Sequence, residues 1–147
     1  MPTRRRPTRR QRDAVSARAG FRCEYCQTPL AFSVVENFDV EHIRPIVAGG
    51  ETTLENLALS CPGCNDAKGI LVDAIDPVSD TICPLFHPRS DRWNEHFAWT
   101  DDGATLEGKT PTGRATVVAL RLNRAGLVNI RRALSTLRQH PMYEESP

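Results

Sequence analysis

A chain of 147 residues is sized for one domain, and 39% hydrophobic with only 6% aromatic content allows a modest core that a bound metal would reinforce. No run approaches the roughly 18 apolar residues of a membrane helix, and the arginine-rich start has no apolar stretch of the signal-peptide kind. The expectation is a cytoplasmic location without a membrane partner. The net charge of +1 conceals three unequal segments. Residues 1–22 hold eight arginines against one acid, residues 23–107 hold fifteen acids against four basic groups, and residues 108–147 hold seven basic groups against two acids. An acidic centre between basic arms suits a protein that meets a polyanion and also gathers divalent cations.

In chain order, Thr8 is placed to cap a short basic helix that Gly20 ends near Ala19. Arg22 to Cys26 forms a tight thiol knuckle. Residues 37–42 alternate as a strand, with Phe38 and Val40 on one face and Asp39 and Glu41 on the other. Pro45 and Gly49-Gly50 mark a loop, and residues 57–60 form a second short strand. Cys61-Pro62-Gly63-Cys64 is a second knuckle, opening a helix that runs from Asn65 toward Ala74. A linker with three prolines follows from Asp76 to Asp91. Residues 93–110 alternate as a β-hairpin turning at Asp101-Asp102-Gly103, with Trp93, Phe97 and Trp99 as its core. Thr110 or Thr112 caps a last helical region, with apolar residues from Val117 to Leu137 at helical spacing, interrupted at Gly126. Its arginines, Arg124 among them, meet no acids.

Five cysteines are an odd number, and four of them sit in two C-x2-C pairs, Cys23/Cys26 and Cys61/Cys64. That pattern indicates a metal in a reducing compartment rather than a disulfide framework. Two sulfurs two residues apart can face one ion, and four thiolates complete a tetrahedral zinc site with no position open for water, so the zinc is structural. Cys83 is left over as a buried or neutral thiol. Between the pairs lies Glu41-His42, and after the fourth cysteine comes Asn65, so an imidazole and two oxygen-bearing groups are held near the staple.

The run Val40-Glu41-His42-Ile43-Arg44-Pro45, with Gly49-Gly50, Glu55-Asn56-Leu57 and Cys61-Pro62-Gly63-Cys64-Asn65-Asp66-Ala67-Lys68-Gly69, resembles the motif of HNH nucleases of the zinc-stapled ββα-metal type. The stretches Pro84 to Arg89, Trp93 to Phe97 and Thr110 to Thr116 resemble the C-terminal extension of small bacterial HNH proteins. The resemblance implies an α+β fold: a small ββα-metal core with a four-cysteine zinc site over residues 8–75. A basic helix precedes it, and a hairpin with helices follows over 76–147, in a single domain spanning 1–147. It implies a metal-dependent endonuclease that hydrolyses phosphodiester bonds in double-stranded or branched DNA.

In that reading His42 activates water, and Glu41 and Asn65 hold Mg2+ or Mn2+. Asn56, grouped with them in the catalytic set, ties the loop back to the base's strand. Arg44, Lys68 and the arm residues Arg4, Arg5, Arg6, Arg9 and Arg10 face phosphate. One cation cuts one strand, so double-strand cutting needs a homodimer or two sequential nicks. The rival expectation is a non-catalytic zinc-ribbon module that grips nucleic acid, keeping the cysteines and arginines without needing Glu41, His42 and Asn65 together.

Overall fold

The computed structural model describes residues 5–141. Helix α1 spans Arg9–Arg18 and opens on a capping box, in which the Thr8 hydroxyl accepts from the Gln11 amide and the Gln11 side chain accepts from the Thr8 amide. Gly20, at φ 61°, turns the chain after it. Only Val15 of this helix is buried, so its arginines stay outside. The helix is fixed from its flank: Arg18 donates to the carbonyls of Leu54 and Leu57 at 2.9 and 2.6 Å, and Gln11 donates to that of Thr52 at 3.1 Å.

Strand β1 (Asp39–His42) pairs antiparallel with β2 (Leu57–Ser60) in the register Glu41 to Ala58 and His42 to Leu57. All of β2 is buried. Helix α2 (Pro62–Lys68) starts directly from it, with Cys61 as its N-cap and Pro62 in its first turn, where a missing amide costs nothing. Together β1, β2 and α2 make the ββα unit, and the expected α+β class with a four-cysteine cluster is what the structure contains.

Beyond it the structure departs from the sequence reading. The helix stops at Lys68 instead of reaching Ala74, because Gly69 at φ 50° reverses the chain. Residues Asp73–Ile75 (β3) then pair with Ile82–Pro84 (β4), inside the stretch read as helix end and linker. Pro84 ends its strand at an edge, where a missing amide is tolerated. The turn is built on Asp76, whose carboxylate accepts from Val78, from Ser79 and from both Nε and Nη2 of Arg114 at 2.9 and 2.8 Å.

A one-turn helix α3 (Trp93–His96) leads into the hairpin of β5 (Phe97–Trp99) and β6 (Leu106–Gly108). Trp93 stacks on Phe97 and Trp99 with centroids 5.1 and 5.5 Å apart, and these residues pack at the core. Helix α4 (Pro111–Ala119) is capped by the Thr110 hydroxyl, which accepts from Gly113. Helix α5 (Ala125–Thr136) follows. The break between them falls at residues 120–124, and Gly126 lies in the first turn of α5 instead of interrupting the run. Arg131 of α5 is buried against Trp99, with its guanidinium carbon 4.9 Å from the ring.

One cluster of buried apolar residues runs from Val15 through Tyr25, Phe38, Leu57, Leu59 and Phe86 to Leu120 and Leu127, joining the ββα unit to the C-terminal elements. Each buried leucine or phenylalanine contributes about 1.5–3 kcal/mol. Among the described residues no helix is long and apolar enough to cross a membrane.

Candidate active site and metal centre

The metal centre follows from the two knuckles. The Sγ atoms of Cys23, Cys26, Cys61 and Cys64 lie within 4.8 Å of one another, and all four residues are buried. An ion about 2.3 Å from four tetrahedral sulfurs would hold them about 3.8 Å apart; Cys26 Sγ and Cys61 Sγ are 3.7 Å apart. Burial raises the Cys23 thiol well above its usual range, so four sulfurs at this depth need a cation to be thiolates together. The donor set and spacing fit zinc. Backbone amides of Cys26 and Cys64 point at Cys23 and Cys61 Sγ at 3.5 Å each. Cys83 is buried outside the cluster, with Thr81 as its neighbour.

The second site starts at the end of β1. Its register is carried past the strand by the Ile43 amide, which donates to the Asn56 carbonyl at 2.8 Å. The Asn56 side chain then closes the loop: Oδ1 accepts from the Arg44 amide at 2.9 Å, and Nδ2 donates to the carbonyls of Arg44 and Glu51 at 2.9 and 2.8 Å. This tight return needs Gly50, where a Cβ would overlap the Arg44 carbonyl oxygen, and Gly49, at φ 89°. The closed loop presents Thr52, whose Oγ1 lies 2.8 Å from His42 Nε2. Gln11 of α1 fixes the Thr52 carbonyl, so the basic helix, the loop and the imidazole are one connected structure. Burial, and then the nearby Lys68 ammonium, push the His42 imidazole below its usual value. The ring therefore stays neutral, and basic, at ordinary pH.

Glu41 is buried, and both its oxygens are engaged. Oε1 accepts from the Tyr25 hydroxyl, and Oε2 accepts from Lys68 Nζ at 2.9 Å. Burial raises its carboxyl, while Lys68 and the Tyr25 hydrogen bond pull it back. Each carboxylate oxygen has a second lone pair, so the carboxylate retains acceptor capacity. Asn65, on the first turns of α2, donates its Nδ2 to Asp39 Oδ2 at 3.2 Å, which leaves the carboxamide oxygen to point elsewhere. Glu41, His42 and Asn65 line one open cleft of 350 Å³, and Arg5 of the N-terminal arm lines it with them.

One expectation changes, that of Lys68. Lys68 does not face phosphate: it is 2% exposed, and its ammonium is enclosed by Glu41 Oε2 and the carbonyls of His42 and Ile43 at 3.3 and 2.9 Å. The last turn of α2 lies under β1, and a buried carboxylate requires a buried cation there. Arg44 is exposed but lies outside the cleft, its Nε donating to the Ala48 carbonyl at 2.7 Å. Arg6, Arg9 and Arg10 lie on the arm and α1, outside the lining of the cleft. Arg4 lies outside the described residues. Sequence reasoning missed Tyr25, Asp39 and Thr52 as partners of the three cleft groups, although each sits within or beside the motif.

Breaking the Glu41–Lys68 pair should be costly. Lys68→Met leaves Glu41 buried without its cation and is expected to lower unfolding free energy by about 3–5 kcal/mol in denaturant titration. A loss below about 1 kcal/mol would mean that the pair is solvated in solution.

Comparison with known proteins agrees in place with this geometry. Residues 23–70 match the family model described as HNH endonuclease. The CRISPR-associated endonuclease Cas9 of Corynebacterium diphtheriae is 42% identical over 53 residues, covering 35% of this chain and 5% of that protein. The chain thus spans a small fraction of the length of that curated relative. No solved structure matches the chain. Both knuckles, the Glu41-His42 step, Asn56 and Asn65 fall inside the matched stretch, so the resemblance to HNH endonucleases covers the residues that build both sites.

Proposed function

We propose that this chain is a metal-dependent DNA endonuclease whose reaction takes place in the cleft lined by Glu41, His42 and Asn65. The observation that carries the reading is that these three residues, from two elements and separated by up to 24 positions, line one open cleft, and that Asn65 directly follows the last cysteine of the four-sulfur cluster. A relative of that stretch is itself called an endonuclease. Glu41 and the Asn65 carboxamide oxygen are the oxygen donors that suit a hard cation, and two protein ligands leave room for the waters and phosphate oxygens that Mg2+ or Mn2+ prefers. Such a cation supplies charge stabilisation to the phosphate and the leaving oxygen.

The chain's own groups do the rest. In the tautomer in which His42 Nε2–H donates to Thr52 Oγ1, Nδ1 carries the free lone pair and takes the proton of the attacking water. Asp39 accepts from Asn65 Nδ2 and so leaves the carboxamide oxygen as the group that would hold the cation, and Tyr25 and Lys68 fix the Glu41 carboxylate. Asn56 acts on the loop and through Thr52 on the imidazole, as a positioning residue. Arg5 sits at the cleft and clamps phosphate, while Arg6, Arg9 and Arg10 extend the basic surface along the backbone of the DNA, and Arg4 is assigned the same phosphate-binding role from the sequence. One cleft holds one cation and cuts one strand, and two copies acting together cut both. Residues 8–75 form the nuclease core and 76–147 an extension within a single domain.

The test separates cleavage from mere binding. Purified chain, loaded with zinc, should convert supercoiled plasmid to the nicked form with Mg2+ or Mn2+. It should stop in EDTA and resume when excess Mg2+ is restored promptly. Retention of plasmid in a gel-shift assay with no nicking under any divalent cation would instead identify a zinc-ribbon binding module.

A further inference from the structure

Among the described arginines of the C-terminal segment, Arg124 is distinguished by its contacts with sulfur. It lies 60 positions from Cys64, at the N-cap of α5, yet its side chain does not cap that helix. The guanidinium reaches back to the second knuckle: Nη1 is 3.6 Å from Cys64 Sγ, and Nη2 is 3.5 Å from Cys61 Sγ and 3.7 Å from Cys64 Sγ. Nη1 also donates to the carbonyls of Leu120 and Arg121 at 3.3 and 3.2 Å, which anchors the group at its own end. The knuckle is shaped to receive it. A Cβ on Gly63 would lie 2.5 Å from Arg124 Nη2 and 2.9 Å from its guanidinium carbon. The glycine between Pro62 and Cys64 is therefore the space that the guanidinium fills.

We propose that Arg124 is a positioning residue of the zinc centre, through which the C-terminal extension closes the metal site. Four thiolates on one Zn2+ leave a net charge of −2, and a half-buried guanidinium donating to two of the sulfurs offsets part of it. The contact also links two equilibria. If zinc holds the thiolates that hold Arg124, loading the metal stabilises the docking of α5, and docking of α5 retains the metal by the same factor. The inference rests on zinc occupying the four cysteines.

The experiment uses the full zinc-loaded chain, measuring transfer of zinc to a chromogenic chelator. Partners that orient metal ligands typically contribute about 10- to 100-fold in affinity, and Arg124→Ala should lose zinc faster by a factor of that order. Gly63→Ala, which keeps the arginine but fills its seat, should produce a similar loss, and the double variant should be no worse than the more affected single one. Arg124→Lys should recover part of the retention, and Arg132→Ala, removing an exposed arginine on α5, should behave as wild type. In the Co2+-substituted protein the sulfur-to-metal charge-transfer band should shift in Arg124→Ala, a readout that loss of helix packing alone would leave in place. Zinc retention and a Co2+ spectrum unchanged in Arg124→Ala, or effects of the two single variants that multiply, would overturn the proposal. Failure of the wild-type chain to bind zinc at all would overturn the four-sulfur assignment on which it stands.

Discussion

His42→Ala is expected to slow plasmid nicking by about 10²- to 10⁴-fold, the range contributed by a positioned general base, with zinc content and DNA affinity unchanged. The imidazole sits at the exposed end of β1, half-buried, and its Nε2 contact with Thr52 is its one hydrogen bond among the described residues. Removing it leaves no buried group unpaired, so the fold should survive and the loss should be one of rate. The pH dependence follows the same ring. Burial and Lys68 lower its proton affinity, so the base-competent neutral form persists to lower pH than for a free imidazole of pKa about 6.5. As pH falls, the rate is lost only when the ring protonates, and the acid limb of the wild-type profile should therefore lie below that value. Wild-type rates in His42→Ala would show that another group takes the proton.

Removing the structural zinc is expected to unfold the nuclease core. The four sulfurs join the segment after α1 to the junction of β2 and α2, and all four residues are buried. The binding free energy of a structural zinc, about 10–16 kcal/mol at neutral pH in small domains, is as large as the whole stability of an ordinary domain, about 5–15 kcal/mol. Prolonged chelation, or Cys64→Ser, should abolish the cooperative melting transition followed by far-ultraviolet circular dichroism. Cys83→Ser, outside the cluster, should shift it by only a few degrees. A cooperative melt preserved in Cys64→Ser would mean that the apolar cluster alone sustains the fold.

The parts of this molecule legible in the sequence were those in which chemistry is local. The two cysteine pairs, the Glu41-His42 step and Asn56 announce themselves by residue type at short spacing, and Thr8 and Thr110 cap the helices placed behind them. The parts that were not legible depend on distant partners. Lys68 reads as a surface cation until the last turn of α2 is laid under β1, where Glu41 must be neutralised. Arg124 reads as a charge that meets no acid because its partners are sulfurs 60 and 63 positions away. The β3–β4 pair was hidden by prolines and by the brevity of three-residue strands, whose turn is held by Arg114 from another element.

The proposed chemistry requires Glu41 and Asn65 to share one divalent cation within reach of His42. The most direct measurement is titration of the zinc-loaded chain with Mn2+, followed by electron paramagnetic resonance, in wild type, Asn65→Ala and Glu41→Gln. One site is expected in the wild type, weakened by at least about tenfold in each variant, because one of two protein ligands is removed. Equal Mn2+ binding in all three proteins would contradict it.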